Sequence, residues 1–478
     1  MKLSDLSDEQ WFARLSGRRN ANVALVQQRW AYYDNEQPMY HVARILAEQD
    51  NKFPPLTINW CRKYIRSIDG RSMLEGFAYV GQDSLDDHMQ KIMLRNELDL
   101  KHSLNNTATL VTGWSYAMAG KGADGALVTI ESPDSMAVER DPITGEVRAS
   151  LKFWSSDPDS GVDDMAVLQL PDPAGGSRLI DYELGKPVGE TRLKWMSGPS
   201  RRQASGLVPV VPFLNQERWG RPTTQMADLI PVVDAANFTA TSMMATILRH
   251  AMPRILAINI ESSMFLNSDG SVNREALKAA TGEVWMVPAA EDENGALMPK
   301  SDAPEVDIKQ ISAADMRNFH ETMNLLARIG AGLCDLTPVD LGFGVSDNPP
   351  SADSIDKSKD ERLLGIERFN RQQGAGYERL MRYALAVEGE DVGKRLIESK
   401  FRNVATPTKQ SMADAAVKTV TSGISDLYQG RKDYGYTPTE IEAMQERERL
   451  AARDPFRVNA EDEQEPTDGA AVTPTPSA

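Results

Sequence analysis

The stretch from Asn348 to Ile355, which reads Asn-Pro-Pro-Ser-Ala-Asp-Ser-Ile, restricts the fold of this chain more than any other segment. A double proline cannot continue a helix, and Ser351 can cap the free N–H groups of a helix that follows it. The pattern therefore predicts the longest helix of the chain, entered from an extended loop, and a helix of this kind indicates architecture more than chemistry. Apolar residues recur there at helical spacing: Ile355, Leu363, Ile366, Phe369, Tyr377, Leu380 and Ala384.

Composition limits the class of protein. A chain of 478 residues is long enough for two or three domains with buried cores. Hydrophobic residues at 41% and charged residues at 26% exclude a wholly disordered chain. The net charge of −16 argues against a protein that grips nucleic acid over a broad surface, because such binding needs a surplus of Lys and Arg. It does not exclude DNA that passes along a negative wall without sticking.

Two cysteines, Cys61 and Cys334, lie far apart in the sequence. They offer neither a disulfide framework nor a zinc site and fit a reducing compartment. The N-terminus lacks the apolar core of a signal peptide, and no run of about 18 apolar residues occurs. We therefore expect a soluble chain, made in the cytoplasm, with no membrane partner.

Hydrophobic periodicity predicts a series of helices. In the helix predicted at 223–252, Pro231 should either produce a kink or mark a later start of the helix. The predicted helices cover residues 5–33, 59–71, 86–112, 223–252 and 315–333, and, near the C-terminus, 408–428 and 438–453 with a break at 430–436. The acidic tail from residue 454 on should be disordered.

Between these helices the period shifts towards two, which predicts strands. Strands at 115–119, 126–130, 137–140, 147–154, 165–170 and 178–184 suggest an antiparallel meander. Residues 254–311 read as a small α/β insert with strands at 254–259, 284–287 and 306–311 and a helix at 273–280. Residues 334–350 read as a structureless loop.

Motifs for chemistry are weak. Residues 120–125 match the letters of a dinucleotide fingerprint, but a strand follows where that mechanism needs a helix, so we favour a hairpin turn. A calcium loop at Asp157, Asp159, Asp163 and Asp164 lacks the glycine and glutamate positions of an EF-hand, so a solvated acidic turn is favoured.

The remaining signals also favour structural roles. The five histidines form no HxH or HxxxH pair, and neither a phosphate loop nor a nucleophile elbow occurs. The basic spots Arg18-Arg19 and Arg201-Arg202 suit surface faces better than phosphate contacts. We therefore expect no enzyme activity, no catalytic residues, no cofactor and no metal site.

The order of the parts resembles the portal proteins of tailed bacteriophages, of the type found in siphophages of Gram-positive hosts. The similarity covers residues 12–452. Each motif alone is weak evidence for the family, but the order in which the motifs occur along the chain is specific. The motifs are Tyr32-Tyr33, Leu56-Thr57-Ile58-Asn59-Trp60, Gly76-Phe77, Ser132-Pro133, Asp141-Pro142-Ile143-Thr144-Gly145, Val208 to Asn215, Asn348 to Ile355 and Ala413-Asp414-Ala415. One departure is the double proline before Ser351, where many relatives would carry Pro-Ser-Ser.

The resemblance implies an α+β, predominantly helical portal fold that forms rings, usually of twelve subunits. It divides the chain into a wing (1–222 and 351–404), stem helices at 223–252 and 313–333, and a clip (253–312). It also implies a tunnel loop (334–350), a crown (405–453) and a tail (454–478). One observation supports rings independently: two long helices with apolar stripes need partners, and identical neighbours supply them.

The resemblance further implies a place at the capsid vertex of the virion, where genomic DNA enters and leaves. The expected partners are copies of the chain itself, double-stranded DNA, the terminase large subunit, head-completion or adaptor proteins, and capsid and scaffold proteins. The tunnel-loop candidates that would face DNA are Thr337, Pro338, Val339, Asp340, Leu341 and Asn348. Another self-assembling virion protein (capsid or scaffold) and an unrecognised hydrolase remain alternatives.

Overall fold

The computed structural model describes fourteen stretches of the chain. They are residues 6–39, 56–82, 84–172, 176–185, 193–203, 208–216, 222–250, 254–260, 284–288, 307–311, 316–342, 352–405, 409–436 and 438–452. The chain divides into two compact units, Met1–Val404 and Ala405–Ala478. It is 51% helical and 22% strand, so the α+β, mostly helical class is confirmed.

Seven helices lie in the described part of the first unit. They are α1 Asp8–Asp34, α2 Trp60–Asp69, α3 Asp87–Arg95, α4 Leu98–Thr112, α5 Ile230–His250, α6 Arg317–Leu333 and α7 Ala352–Val387. α1 begins with a capping box, in which Ser7 and Gln10 each accept the other's backbone N–H, and it ends at Asn35 in the left-handed region. α7, with 36 residues, is the long helix expected after the double proline; Ser351 itself lies outside the described residues.

The single helix expected over 86–112 is wrong, because the chain breaks between α3 and α4. Glu97 adopts the left-handed region at φ 55°, and neither glycine nor proline marks the position. Asn96, just before it, donates to the carbonyl of Ala126 at 2.9 Å and accepts the N–H of Val128 at 2.7 Å. These long-range bonds hold the turn, so local periodicity did not reveal it.

Thirteen strands occur in the described residues. They are β1 Leu74–Tyr79, β2 Trp114–Gly122, β3 Gly125–Glu131, β4 Met136–Arg140, β5 Val147–Trp154, β6 Met165–Pro171, β7 Ser177–Gly185, β8 Lys194–Gln203, β9 Val210–Leu214, β10 Arg254–Ile260, β11 Val284–Pro288, β12 Asp307–Ile311 and β13 Ile397–Phe401. β4 to β8 form an antiparallel meander, in that order, whereas β3-β2-β9 form a separate sheet. The single meander predicted for all six strands is therefore wrong for the strands at 115–119 and 126–130, which lie in the second sheet. The hairpin reading of residues 120–125 is confirmed, because Gly122 pairs with Gly125 across the turn.

Four strands, β1, β8, β9 and β13, were not predicted. β8 contains Gly198-Pro199, which reads as a turn in sequence. β1 pairs antiparallel with β13, more than three hundred residues further along the chain, so no local pattern announces the pairing.

The insert after α5 contains a three-stranded mixed sheet. β10 is central, parallel to β11 and antiparallel to β12. Arg254, at the start of β10, pairs with Ile311, at the end of β12. The chain therefore enters and leaves the insert at one place. The three predicted strands are confirmed; the helix expected at 273–280 lies outside the described residues.

Helices cover the five-stranded meander and the β3-β2-β9 sheet. α1 packs Trp11, Phe12 and Leu15 on the meander, with the rings of Phe12 and Tyr182 centred 4.3 Å apart. α7 packs on the second sheet, where the rings of Tyr377 and Phe213 are 4.8 Å apart.

The second unit is helical in its described residues. It contains α8 Lys409–Thr421, α9 Leu427–Tyr434 and α10 Pro438–Ala452. Two helices with a break at 430–436 were expected, and that reading is wrong: the chain breaks earlier, at Gly423 (φ 72°), and Asp426 caps α9. Gly430 lies inside α9, and the tail from 454 lies outside the described residues.

Candidate functional site

The paired helices α5 and α6 form the part of the first unit with the clearest functional geometry. α5 begins at Ile230, so Pro231 marks a late start of the predicted helix and does not kink it. A β-carbon on Gly330, near the end of α6, would lie 3.2 Å from Leu229 and 3.5 Å from Val232, at the start of α5. Since the insert also joins their far ends, the two helices run antiparallel.

One face of each paired helix is buried in a shared core. The core side chains on both helices are small or flexible, which lets the backbones approach closely. They are Val233 and Ala236 on α5 and Met323, Ala327 and Ala331 on α6, next to Met226 and Leu229. This core continues into α2, the end of α4 and the middle of α7.

The paired helices also carry apolar side chains that the core does not use. Leu325, Ile329 and Leu333 are 52%, 44% and 48% exposed, and their spacing of four residues aligns them on one face of α6. Phe238 on α5 is 45% exposed. On α6, Met323 is buried, whereas Leu333 belongs to this outer face. A helix that is apolar on two faces normally has a second partner.

The segment after α6 begins with an ordered turn, so the expected structureless loop is wrong for its first part. Residues Pro338–Leu341 form a 3₁₀ turn between Thr337 and Gly342, whose φ is 87°. Thr337 and Asp340 form a capping box: the Thr337 N–H donates to the carboxylate at 2.9 Å, and the Asp340 N–H donates to the Thr337 hydroxyl at 3.3 Å. Proline at the first helical position favours this geometry.

The tunnel-loop candidates differ in accessibility. Leu341 is buried in the core of the paired helices, and its carbonyl accepts a hydrogen bond from the Trp60 indole at 3.2 Å. A side chain held inward cannot face DNA, so Leu341 is a poor choice for that role. Val339, at the tip of the turn, is 61% exposed. Residues 343–350, including Asn348, lie outside the described residues.

The charge at this turn is acidic but partly balanced. Burial opposes ionisation of Asp340, yet the backbone and side chain of Thr337, with Arg362 and Lys63, outweigh it and lower its pKa. Arg362 on α7 approaches the carboxylate at 3.7 Å. No Lys or Arg occurs between residues 334 and 350.

The two cysteines meet in the core of the paired helices although they are distant in sequence. Cys61 and Cys334 are both buried and free. Burial raises the pKa of each thiol to about 12, so neither is a reactive nucleophile at neutral pH.

The other candidate sites have structural roles in the described part of the chain. The four arginines of the basic spots are all engaged in ion pairs: Arg18 with Glu139, Arg19 with Asp163, Arg201 with Asp181 and Arg202 with Asp172. In the acidic turn, Asp157 caps a 3₁₀ turn and Asp164 accepts the N–H of Ser156 at 2.6 Å. The described residues contain no cluster of three His, Cys, Asp or Glu side chains suited to a metal ion. Among those same residues, no helix is long and apolar enough to cross a membrane.

Comparison with known proteins gives consistent relatives. No protein-family model matches the chain. The chain is 27% identical over 404 residues to a "Portal protein" of Mycobacterium phage D29, which covers 81% of this chain and 78% of that protein. It is likewise 27% identical over 404 residues to a "Portal protein" of Mycobacterium phage L5, covering 81% of this chain and 77% of that one.

Among solved structures, similar chains come from gene transfer agent particles. One belongs to the neck of a native particle computed with C12 symmetry; it is 15% identical, covers 83% of this chain and 99% of its own, and has a TM-score of 0.42. Another, from the virion of the native particle, is 13% identical and covers 82% and 93%, also with a TM-score of 0.42. Its two sequence relatives are portal proteins of mycobacterial phages, and they confirm the resemblance to portal proteins that the sequence motifs predicted.

Proposed function

We propose that copies of this chain form a closed ring at one vertex of the capsid, and that genomic DNA is packaged and ejected through its centre. The relatives are named portal proteins, which supports this role. The single observation that carries it is the outer apolar face of α6, formed by Leu325, Ile329 and Leu333. A neighbouring copy would cover this face. The resemblance sets twelve as the expected number of copies.

The paired helices also suggest which surfaces meet. A ring needs a heterologous contact, in which one face of a copy meets a different face of the next. Gly330 is level with Leu229 and Val232, and the helices run antiparallel. At about 1.5 Å per residue, Phe238 on α5 therefore lies within roughly one turn of the height of Leu325 on α6. We assign Phe238 to the surface that receives the neighbour's α6.

The remaining regions follow the divisions implied by the resemblance. Residues 1–222 and 351–404 would form the wing, and α5 and α6 the stem. The insert between them would be the clip that meets the terminase and later the adaptor proteins. The start of the second unit, Ala405, coincides with the start assigned to the crown. The role is structural and requires neither a catalytic group nor a cofactor.

Charge substitution on α6 tests the ring. A double variant, Leu325→Asp with Ile329→Asp, would place charges in the proposed contact. Losing one buried leucine already removes about 2 kcal/mol, and buried charges add to this. We expect at least ~100-fold weaker assembly, since 1.4 kcal/mol is about tenfold. Mass photometry of the purified full chain measures the fraction in rings.

Ile143→Asp is the matched control, because Ile143 is 92% exposed on the turn between β4 and β5, away from α6. It should leave the rings unchanged. Rings that persist in the double variant would contradict the proposed contact. A wild-type chain that remains monomeric under all conditions would contradict the ring itself, and closed shells would favour a capsid protein.

A crosslink tests the assigned surfaces. Phe238→Cys combined with Leu325→Cys should give a ladder of disulfide-linked copies after mild oxidation of assembled rings. The native thiols should contribute little background, because they are buried. Intact rings without a ladder would mean that the copies meet through other faces.

A further inference from the structure

The C-terminal end of α7 brings two carboxylates to one imidazole. Gly389, at φ 87°, turns the chain after the helix, and the N–H of Glu390 donates back to the Leu385 carbonyl at 3.0 Å. This turn places Glu388 and Glu390 beside His88, in the first turn of α3. The distance from His88 Nε2 to Glu388 Oε2 is 2.7 Å, and that from Nδ1 to Glu390 Oε2 is 3.0 Å.

This arrangement is incompatible with a fully satisfied neutral imidazole. A neutral ring carries one N–H, so one of the two carboxylates would face a lone pair. The Oε2 atom of Glu390 is buried and has no hydrogen-bond donor other than the His88 Nδ1 atom 3.0 Å away, so it needs the proton on that nitrogen. The imidazolium form, with two N–H groups, satisfies both carboxylates at once.

Glu388 connects this pair to two further elements. Its Oε1 atom accepts the N–H of Ala126 at 2.9 Å, where β3 leaves the β2–β3 turn. It also forms an ion pair with Arg95, at the end of α3. The carboxylate therefore ties the end of α7 to α3 and to the hairpin.

We propose that His88, Glu388 and Glu390 form a proton-operated latch, which holds α3 and the β2–β3 hairpin to the end of α7 while His88 is charged. The latch does not depend on the ring. Loss of the proton leaves one carboxylate without a donor and weakens the junction. The latch is therefore a pH-sensitive device at the end of the longest helix.

The direction of the pH effect follows from the geometry. The hydrogen bond to Glu388 raises the pKa of His88; burial opposes this, and the charges of Glu390 and Glu388 support it. A raised pKa in the folded state means that the stabilisation is complete below the ordinary value of 6.5. It is lost as the pH rises through the folded-state pKa.

The other charged groups near the latch have one negative charge in excess. Asp86 caps α3 from the N-terminal side and accepts the N–H of His88 at 3.0 Å. Arg395 stacks over the ring of Tyr79, 4.3 Å from its centroid. Burial raises the pKa of Tyr79, Arg395 opposes this, and the charges of Glu390 and Asp86 add to the increase. With Glu388, Glu390 and Arg95, the cluster holds three carboxylates and two guanidinium groups. A charged His88 makes it neutral.

Histidine-selective NMR labelling of the full chain tests the latch, since the chain has five histidines and His88→Gln identifies the signal. We expect His88 to titrate above 6.5 and Glu390→Gln to shift the midpoint down towards that value. Glu398→Gln is the control, because that carboxylate pairs with Lys400 at 2.7 Å on β13, and it should change nothing. A midpoint at or below 6.5, or one indifferent to Glu390→Gln, would overturn the proposal.

Hydrogen exchange supplies a second readout. After correction for intrinsic exchange, the Ala126 amide should become less protected as the pH rises through the His88 midpoint. In His88→Gln this pH dependence should disappear. The same pH profile in both proteins would show that the proton does not control the junction, even if the pKa were raised.

Discussion

At the scale of single residues, the side-chain amide of Asn96 anchors the turn between α3 and α4 to strand β3. Its side chain is buried and forms three hydrogen bonds, to the carbonyls of Ile92 and Ala126 and from the N–H of Val128. An amide is suited to this position because it donates and accepts at the same time. Most of the turn's specificity thus resides in one polar side chain.

We expect Asn96→Ala to lower the free energy of unfolding by about 2–4 kcal/mol, because it leaves buried backbone groups unpaired. Guanidinium unfolding at a fixed protein concentration measures the change. Leu100→Ala on the neighbouring helix is the control: Leu100 is 70% exposed, and a change within ~0.5 kcal/mol is expected. Equal effects of the two substitutions would show that the amide has no special role.

Val339 tests the nature of the proposed DNA contact at the same scale. We expect the loop to touch DNA sterically, because residues 334–350 contain no Lys or Arg to bind phosphate. Val339→Ala should therefore leave duplex affinity and its salt dependence unchanged, as measured by fluorescence anisotropy at low and moderate salt. Tight, salt-sensitive binding that vanished in the variant would refute steric contact.

The helices show, at the element scale, how far periodicity reaches. α1, α6 and α7 follow their apolar stripes, because each buries apolar residues at helical spacing, although α6 also carries a second, exposed apolar face. The β1–β13 pair depends on strands far apart in sequence, and the inward position of Leu341 depends on the Trp60 contact; neither has a local signal. The pattern on α6 predicted an apolar stripe but not that Leu333 points outward. Sequence thus gives the stripe, whereas packing decides which residues remain free.

Two glycines near the end of α6 offer a matched test of the close helix pair. A β-carbon on Gly330 would meet Leu229 at 3.2 Å, whereas one on Gly332 would meet nothing within 4 Å. We expect Gly330→Val to push the paired helices apart and destabilise the fold by about 1–3 kcal/mol. Gly332→Ala should stabilise α6 by up to ~1 kcal/mol through helix propensity. Thermal unfolding compares them, and a harmless Gly330→Val would contradict the packing.

At the scale of the whole molecule, ring assembly and the docking of other proteins must be considered together. In the proposed ring, neighbours would meet through α5 and α6, whereas other proteins would bind the insert between them. These two functions occupy different elements of one unit. A change in one should therefore leave the other intact.

Deleting the insert tests this separation. Arg254 and Ile311 are paired across β10 and β12, so their Cα atoms lie about 5 Å apart and a Gly-Gly link can bridge the gap. We expect rings to form normally while binding of the terminase large subunit is lost. Mass photometry and a pull-down with purified terminase provide the two measurements. Collapse of all assembly would count against the assignment of residues 254–311 as a docking element.

The pairing of Arg254 with Ile311 has a consequence for the history of such chains. Because the chain enters and leaves the insert at neighbouring positions, the insert can become longer or shorter, or be replaced by another fold, while α5 and α6 keep their spacing. A lineage can in this way acquire new docking proteins without changing its ring. A fluorescent protein inserted between Arg254 and Ile311 should likewise be tolerated.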